Sequence, residues 1–364
     1  TADGTYYVAV AGAPSPYSLV VTKDAEFDTE ANDTLADAQD ITGLGMALGS
    51  TLLPVQIYRD RAAFNALFPG LPVEDFEEGN VGQWDVVIFP GPVQNGVSSV
   101  AFGPDDILPG IVIQDASPGN PADEMALLGP DFLWNPTKVI GPTWFRENTE
   151  ISFTQPVNVV GLDVFGIDYM TVQITAYGVG GGVLGTWPFD VAPEGTFFGA
   201  SFRASVTRLV VASPSGELVD NIAFGWWEDV DYYRVAAREG DVLEIRTSTP
   251  GDGPGEFDNQ HDPVLELYDP NGILVASNDN GAPDGRNALL SYVVPAGAGG
   301  RYFVKVSAAT GEGGEYVLSV DGATGALPAF SVASTIPTDG SSRNVLPTEY
   351  RVTFNDLVLL TTLQ

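Results

Sequence analysis

The sequence predicts an all-β protein built from several sandwich-type domains, and three observations carry that expectation. Short Val/Ile/Tyr/Phe runs of alternating polarity recur along the 364 residues, divided by turns that use many of the 42 glycines and 27 prolines. Helical periodicity is nearly absent. The best helical window is Asp60–Phe68, with an acidic start and Pro69-Gly70 as its stop. Finally, a pair of alternating runs occurs twice. Gly4-Thr5-Tyr6-Tyr7-Val8-Ala9-Val10 and Pro16-Tyr17-Ser18-Leu19-Val20-Val21 return as Gly300-Arg301-Tyr302-Phe303-Val304-Lys305-Val306 and Glu315-Tyr316-Val317-Leu318-Ser319-Val320. Two such runs joined by small residues read as a β-hairpin, and a repeated unit reads as a modular chain.

The length leaves room for two to three domains at roughly 100–200 residues each. An apolar fraction of 44% is enough to pack them. The charge is strongly one-sided, with 48 acidic against 15 basic residues and a net charge of -33. Such a surface repels nucleic acid and anionic membrane, so neither is expected as a partner. The acids are interleaved with strands and turns, which leaves cation binding, adaptation to salt, or solubility as their use. Clusters at turns favour calcium, a cation that takes carboxylate and carbonyl oxygens from loops. Cysteine is absent, so no disulfide speaks to the compartment and a bound cation is an alternative staple. No stretch approaches the roughly 20 apolar residues of a membrane-spanning helix.

Five pieces follow in order: residues 1–24, a connector from Ala25 that runs through 53, a block 54–225, a β series 226–322, and a last piece 327–364. Glu30-Ala31-Asn32-Asp33-Thr34-Leu35-Ala36-Asp37-Ala38 and Asp229-Val230-Asp231-Tyr232-Tyr233-Arg234-Val235 resemble motifs of bacterial pre-peptidase C-terminal domains. So do Asp262-Pro263-Val264-Leu265-Glu266-Leu267-Tyr268-Asp269-Pro270-Asn271-Gly272 and Ser277-Asn278-Asp279-Asn280-Gly281. The resemblance covers 25–53 and 226–322, and it implies a small β-sandwich of secreted bacterial proteins, often calcium-binding. It also implies that 54–225 is an inserted domain and that 1–24 closes a preceding domain of the same kind. The frame of the insert, from Ile57-Tyr58-Arg59-Asp60 and Val73-Glu74-Asp75-Phe76-Glu77 to Val219-Asp220-Asn221-Ile222, is similar to galactose-binding-like jelly rolls. Phe330-Ser331-Val332 through Phe354 is similar to the opening of a bacterial Ig-like domain. The expected fold is thus all-β, with tandem β-sandwich and jelly-roll domains, one inserted into another.

Three oxygen-rich clusters are candidate calcium sites. Glu30, Asn32 and Asp33 of the connector join Asp231 and Asp229, and by resemblance the linker acids of the family bind calcium. Asp258, Asn259 and Asp262 form a second group with Asn278, Asp279 and Asp284, where ordinary turn chemistry is the alternative. Asp75 and Glu77 with Asp220 and Asn221 form the third, an early acid and a late Asp-Asn pair that can share an ion in the resembling jelly rolls.

No catalytic set emerges, and the chain is expected not to be an enzyme. His261 is its one histidine and reads as a turn residue. With no cysteine, Cys/His pairs and multi-histidine zinc sites are excluded. Gly178-Val179-Gly180-Gly181-Gly182 lacks the phosphate-loop spacing and lysine and reads as a hairpin turn. Trp84, Trp134, Trp144 and Trp187 lie in the insert and Trp226-Trp227 at its exit. They read first as core and domain-junction packing, with a sugar-stacking platform as the other reading. The expected function is a calcium-stabilised spacer, adhesin or surface-layer segment of a large extracellular or cell-surface protein, partnered by neighbouring copies or adjoining domains. The alternative is a carbohydrate-binding accessory region of a secreted hydrolase.

Overall fold

The computed structural model describes residues 24–29, 31–116, 124–144, 147–213, 215–249, 261–309, 313–325, 332–337 and 351–354. The chain is all-β and divides into two compact units. One is continuous, Leu53–Trp227, and the other is split in sequence into Thr1–Leu52 and Glu228–Gln364. Among the described residues no helix is long and apolar enough to cross a membrane.

The split unit packs two five-stranded sheets face to face. The first runs Glu26–Phe27, Met46–Ser50, Glu315–Asp321, Val242–Ser248, Leu289–Val293. The second runs Leu274–Asn278, Pro263–Tyr268, Gly300–Ala308, Asp231–Ala237, Gln39–Asp40. Strict alternation explains the layers. In Val242–Ser248, Leu243, Ile245 and Thr247 are buried while the residues between them are exposed. Tyr302, Val304 and Val306 do the same from the opposite sheet. The acidic connector supplies a two-residue edge strand to each sheet. Glu26 and Phe27 pair parallel with Ala47 and Leu48, and Gln39 and Asp40 with Tyr233 and Arg234. Short, charged edges of this kind discourage further strand addition.

This architecture corrects the hairpin expected from the repeat. Gly300–Ala308 bonds to Asp231–Ala237 and Pro263–Tyr268 in one sheet, whereas Glu315–Asp321 bonds to Val242–Ser248 and Met46–Ser50 in the other. The two runs form an arch that crosses the core. The first copy of the repeat, 1–22, lies outside the described residues, as does most of the expected Ig-like opening. Of that opening, Val332–Ile336 pairs antiparallel with Arg351–Phe354.

The continuous unit is a larger sandwich. Its central strands are Thr149–Gly166 and Thr196–Ala212, of 18 and 17 residues. Each serves both layers because their mutual register shifts between Ser152 and Val159. Pro156 sits in that irregularity, where no ladder hydrogen bond is asked of it. Before the shift, Thr149–Phe153 pairs with Ile111–Asp115; after it, Val159–Gly166 pairs with Glu217–Gly225. Val139–Pro142, Glu124–Leu128 and Val86–Pro90 extend the sheet on that side, and Met170–Gly178 with Val183–Val191 closes the other. The 178–182 segment is the expected hairpin turn, with Gly180 and Gly181 at positive φ.

The predicted helix is present as Arg61–Leu67, capped by Asp60, whose carboxylate accepts from Ala63 N at 2.7 Å. Its buried Phe64 meets Tyr58, Phe68 and Phe197 at ring distances of 5.2–5.6 Å. Phe64 rests on Gly161 and Gly199, a cross-strand pair, and a Cβ on either would lie 2.8 Å from its ring. The main core fills the space between layers. A second apolar cluster, Ala126, Leu128, Val139, Phe165 and Leu218, covers part of the outer face of the large sheet.

Candidate functional site

That outer face of the continuous unit carries the most site-like surface. The loop after Glu124–Leu128 folds around Asn135, which is fully buried. Asn135 Nδ2 donates to the carbonyls of Gly129 and Thr137 at 2.9 and 2.7 Å, and its Oδ1 accepts from Leu133 N at 2.9 Å. So held, the loop places Asp131 and Trp134 in the left-handed region, with φ of 67° and 64°. A neighbouring loop holds Trp84 at φ 62° and joins the first through Trp84 N to Pro130 O at 3.0 Å. The two approach closely because residue 129 is glycine; a Cβ there would collide with Gly82 O. Non-glycine residues in this conformation persist only where their surroundings impose it, and they concentrate at binding sites.

The result is aromatic display. Trp134 is 73% exposed, Trp84 67% and Tyr169 74%, and Trp144 is exposed too. This corrects the expectation that the tryptophans fill the core. Trp187 does pack, against Phe198 and Phe202, and Trp227 lies edge-on to Phe68 at 5.6 Å within the same unit. Trp134 flanks an open trough of about 600 Å³ with Ile167, Asp168, Pro193 and Glu194. Tyr169 beside it donates its hydroxyl to Glu194 Oε1 at 3.3 Å. Ile167 also lines a smaller pocket of about 130 Å³, walled by Val86, Ala126, Leu128, Leu133 and Leu218. A flat aromatic face bordered by carboxylates suits a ligand with an apolar face and hydroxyl edges.

The first calcium candidate gathers around a buried polar chain in the split unit. Tyr316 OH donates to Asp231 Oδ2 at 2.5 Å and shares a 2.8 Å bond with Tyr233 OH. Tyr233 donates to Asp28 Oδ1 at 2.9 Å, which also accepts from Asn32 Nδ2 at 2.8 Å. Asn32 O accepts from Tyr232 N at 2.9 Å, fastening the connector to the sandwich. Asn32 is 1% exposed, and its Oδ1 is buried and accepts no hydrogen bond among the described residues. Burial, with Asp28 and Asp37 nearby, raises the carboxyl of Asp33 above its ordinary value. Asp229 and Asp231 are both buried, and Glu30 lies outside the described residues. An oxygen-only set with an unfilled buried acceptor fits a hard cation. Asp28, Tyr233 and Tyr316 were missed from sequence, although the inward period-2 positions of Asp231, Tyr233 and Val235 carry the signal. His261 is a further correction. Far from being a turn residue, it is fully buried, with its ring 5.8 Å from Tyr316 and Nε2 3.5 Å from Thr51 Oγ1.

The second cluster is divided by the structure. Asn278 Oδ1 accepts from Gly281 N and Leu289 N, and Asp284 accepts from Arg286 N, Asn287 N and Asn287 Nδ2. Both therefore act as turn-formers. Asp262 and Asp279 still act on each other: burial first, then the charge of Asp279, raises the Asp262 carboxyl, against the opposing pull of Arg286. Asp258 and Asn259 lie outside the described residues.

The third cluster stays together only in part, with Glu77 near Asp220 and Asn221 and with Asp75 in another group. Asp220 is fully buried and its carboxyl is pushed up to about 7, by burial first and then by Asp163 and Glu77. It accepts from Thr137 Oγ1, Asn221 N and Asn221 Nδ2 at 2.6–2.9 Å. Asn221, at φ 50°, also donates to Asp163, which pairs with Arg61 at 3.0 Å. A guanidinium thus already serves this group, and Glu77 is engaged by Lys138 N. Asp75 groups instead with Glu74 and Glu78, whose carboxylate oxygens lie within 4.8 Å of one another. Glu74 there is buried and accepts from Phe76 N and Leu108 N.

Two sheet sandwiches, one interrupting the other in sequence and joined to an acid-rich connector, define a modular all-β protein. Residues 229–308 match the family described as the bacterial pre-peptidase C-terminal domain, a non-catalytic module typical of extracellular proteins. A comparison with curated proteins finds no match. Among solved structures, the N-terminal CBM22-1-CBM22-2 tandem domain from Paenibacillus barcinonensis Xyn10C is 10% identical over 69% of this chain and 97% of that one. Its TM-score of 0.19 is too low to transfer fold or ligand.

Proposed function

We propose that the chain is a non-catalytic accessory segment of an extracellular bacterial protein, in which the continuous unit binds carbohydrate and the split unit is its scaffold. The observation that carries this is the display of Trp134 and Tyr169 beside Asp168 and Glu194, with Trp134 on a loop held in left-handed backbone by the buried Asn135. Sugar C–H faces stack on such rings and hydroxyls donate to such carboxylates. The net charge of -33 disfavours anionic glycans, so neutral ones are expected. Affinity electrophoresis in neutral polysaccharides tests the reading. Retardation that is lost in Trp134→Ala and Tyr169→Ala supports it; equal mobility in every polysaccharide rejects it.

A second role concerns the scaffold. Asn32 Oδ1, with Asp33, Asp28 and Asp231, is the set we propose to hold calcium and so brace the connector against the sandwich. Binding the native state alone stabilises by about 4 kcal/mol at a thousand-fold excess over Kd. Calorimetry with calcium and with a chelator should therefore move one melting transition upward with calcium. An unmoved thermogram would refute the brace. A spacer, adhesin or surface-layer setting, with neighbouring copies as partners, is compatible with such a rigid scaffold.

A further inference from the structure

Resting on the carbohydrate reading, we infer that the trough selects acetylated sugars: the pyranose ring lies on Trp134 and its acetyl group enters the pocket behind Leu133. Ile167 lines both the pocket and the trough, so the two are neighbours, and on this inference one ligand reaches from one into the other. The pocket's size, about 130 Å³, suits a substituent of a few atoms. Its walls from Val86, Ala126, Leu128 and Leu218 are aliphatic, which a bare hydroxyl would enter at the cost of its water. A methyl group gains from the same walls. Two of its lining side chains are polar, Thr143 and Glu217, and Glu217 already accepts from Thr149 N and Oγ1 through Oε1. Thr143 lines the pocket, and its Oγ1 is buried and makes no hydrogen bond among the described residues. A hydroxyl is the donor an acyl carbonyl requires, and an unmade buried hydrogen bond is expensive to leave. The trough's carboxylates, Asp168 and Glu194, remain for the ring hydroxyls. An amide acetyl, as on a 2-acetamido sugar, and an ester acetyl, as on an acetylated xylan, share this chemistry.

Titration calorimetry of the full chain separates the possibilities, using N-acetylglucosamine oligomers, O-acetylated xylo-oligosaccharides and the deacetylated form of each. At least one acetylated ligand is expected to bind tenfold or more tightly than its deacetylated partner, equivalent to about 1.4 kcal/mol. Whichever pair shows the difference identifies the linkage. Thr143→Val, and independently Ala126→Leu to fill the pocket, should bring the acetylated ligand's affinity down to that of its deacetylated partner; near-ultraviolet circular dichroism checks that each folds. Equal affinity for acetylated and deacetylated ligands, both lost in Trp134→Ala, would overturn the acetyl pocket and leave carbohydrate binding intact. No binding of any of the four would overturn both.

Discussion

The two sandwiches use their aromatic and acidic residues in opposite ways. In the split unit three tyrosines of the sheets, Tyr233, Tyr302 and Tyr316, are fully buried, and two of them carry hydrogen bonds from the core out to the acidic connector. In the continuous unit the core is built of Phe, Val, Ile and Leu, while Trp84, Trp134, Trp144 and Tyr169 are presented to solvent. Its buried acids are held internally, Asp220 by Thr137 and Asn221 and Glu217 by Thr149. One unit thus invests its polar aromatics in holding its own chain together, and the other in a surface. A small sandwich without disulfides gains most from a core-to-connector tie. The larger one has apolar core to spare.

Core truncation should separate the units most sharply. Phe64→Ala removes a ring enclosed by Tyr58, Phe68 and Phe197 and is expected to cost about 3–5 kcal/mol. Calorimetry should show one transition lowered and the other unmoved; a common downward shift would mean that the units melt together. A smaller loss, about 1–3 kcal/mol, is expected from Tyr316→Phe, which deletes the donor to Asp231 and the link to Tyr233. That loss should fall on the other transition.

The repeat shows what the sequence made legible. In Gly300–Val306 and Glu315–Val320 the inward residues are Tyr302, Val304, Val306, Tyr316, Leu318 and Val320. At the matching places in the first copy stand Tyr6, Val8, Val10, Tyr17, Leu19 and Val21, the same residue types throughout, whereas most outward positions differ. Period-2 patterning therefore revealed strands and their buried faces. It could not reveal that the two strands lie in different sheets, because alternation is the same for a hairpin and an arch. The helix at 61–67 was legible because its cap and its stop are local. The trough was legible only as a count of tryptophans. Their exposure depends on Asn135, whose three hydrogen bonds are made within its own loop yet bear no motif, and on Gly129 meeting Gly82 across two loops. His261 failed for a related reason: its polar neighbours in sequence suggested solvent, while the sheets placed it against Tyr316.

The buried acids of the continuous unit give a pH test of the comparison. Glu217 is pushed from its ordinary 4.5 up to about 8, mainly by burial, partly offset by hydrogen bonds from Thr149 and supplemented by Asp115. A folded-state carboxyl above its unfolded value binds the proton more tightly when folded. Stability should therefore fall as pH rises from about 4.5 to about 8 and level off above that. The slope reaches about 1.4 kcal/mol per pH unit where the folded form is protonated and the unfolded form ionised. Glu217→Gln, which keeps an acceptor for Thr149, should reduce the slope of that transition alone and leave the part that Asp220 contributes. An unchanged slope would place the titration elsewhere.

The smallest effect bears on the divided second cluster. Asp284 is solvent-exposed and its carboxyl is lowered, chiefly by the side chain of Asn287 and then by the amides of Arg286 and Asn287. A lowered carboxyl contributes stability above its unfolded value and loses it as pH falls through the folded one. Solvent screening keeps that contribution small. Asp284→Ala is expected to cost about 0.5–1 kcal/mol, the worth of an exposed Asx-type cap. Because the carboxylate is occupied by the turn, the same loss should appear with calcium and with chelator. An Asp279→Asn variant, by contrast, relieves the repulsion that raises Asp262 and should be neutral or slightly stabilising in chelator. If either substitution lowered the melting temperature only when calcium is present, the turn assignment would give way and the pair Asp262–Asp279 would become the second cation site of the split unit.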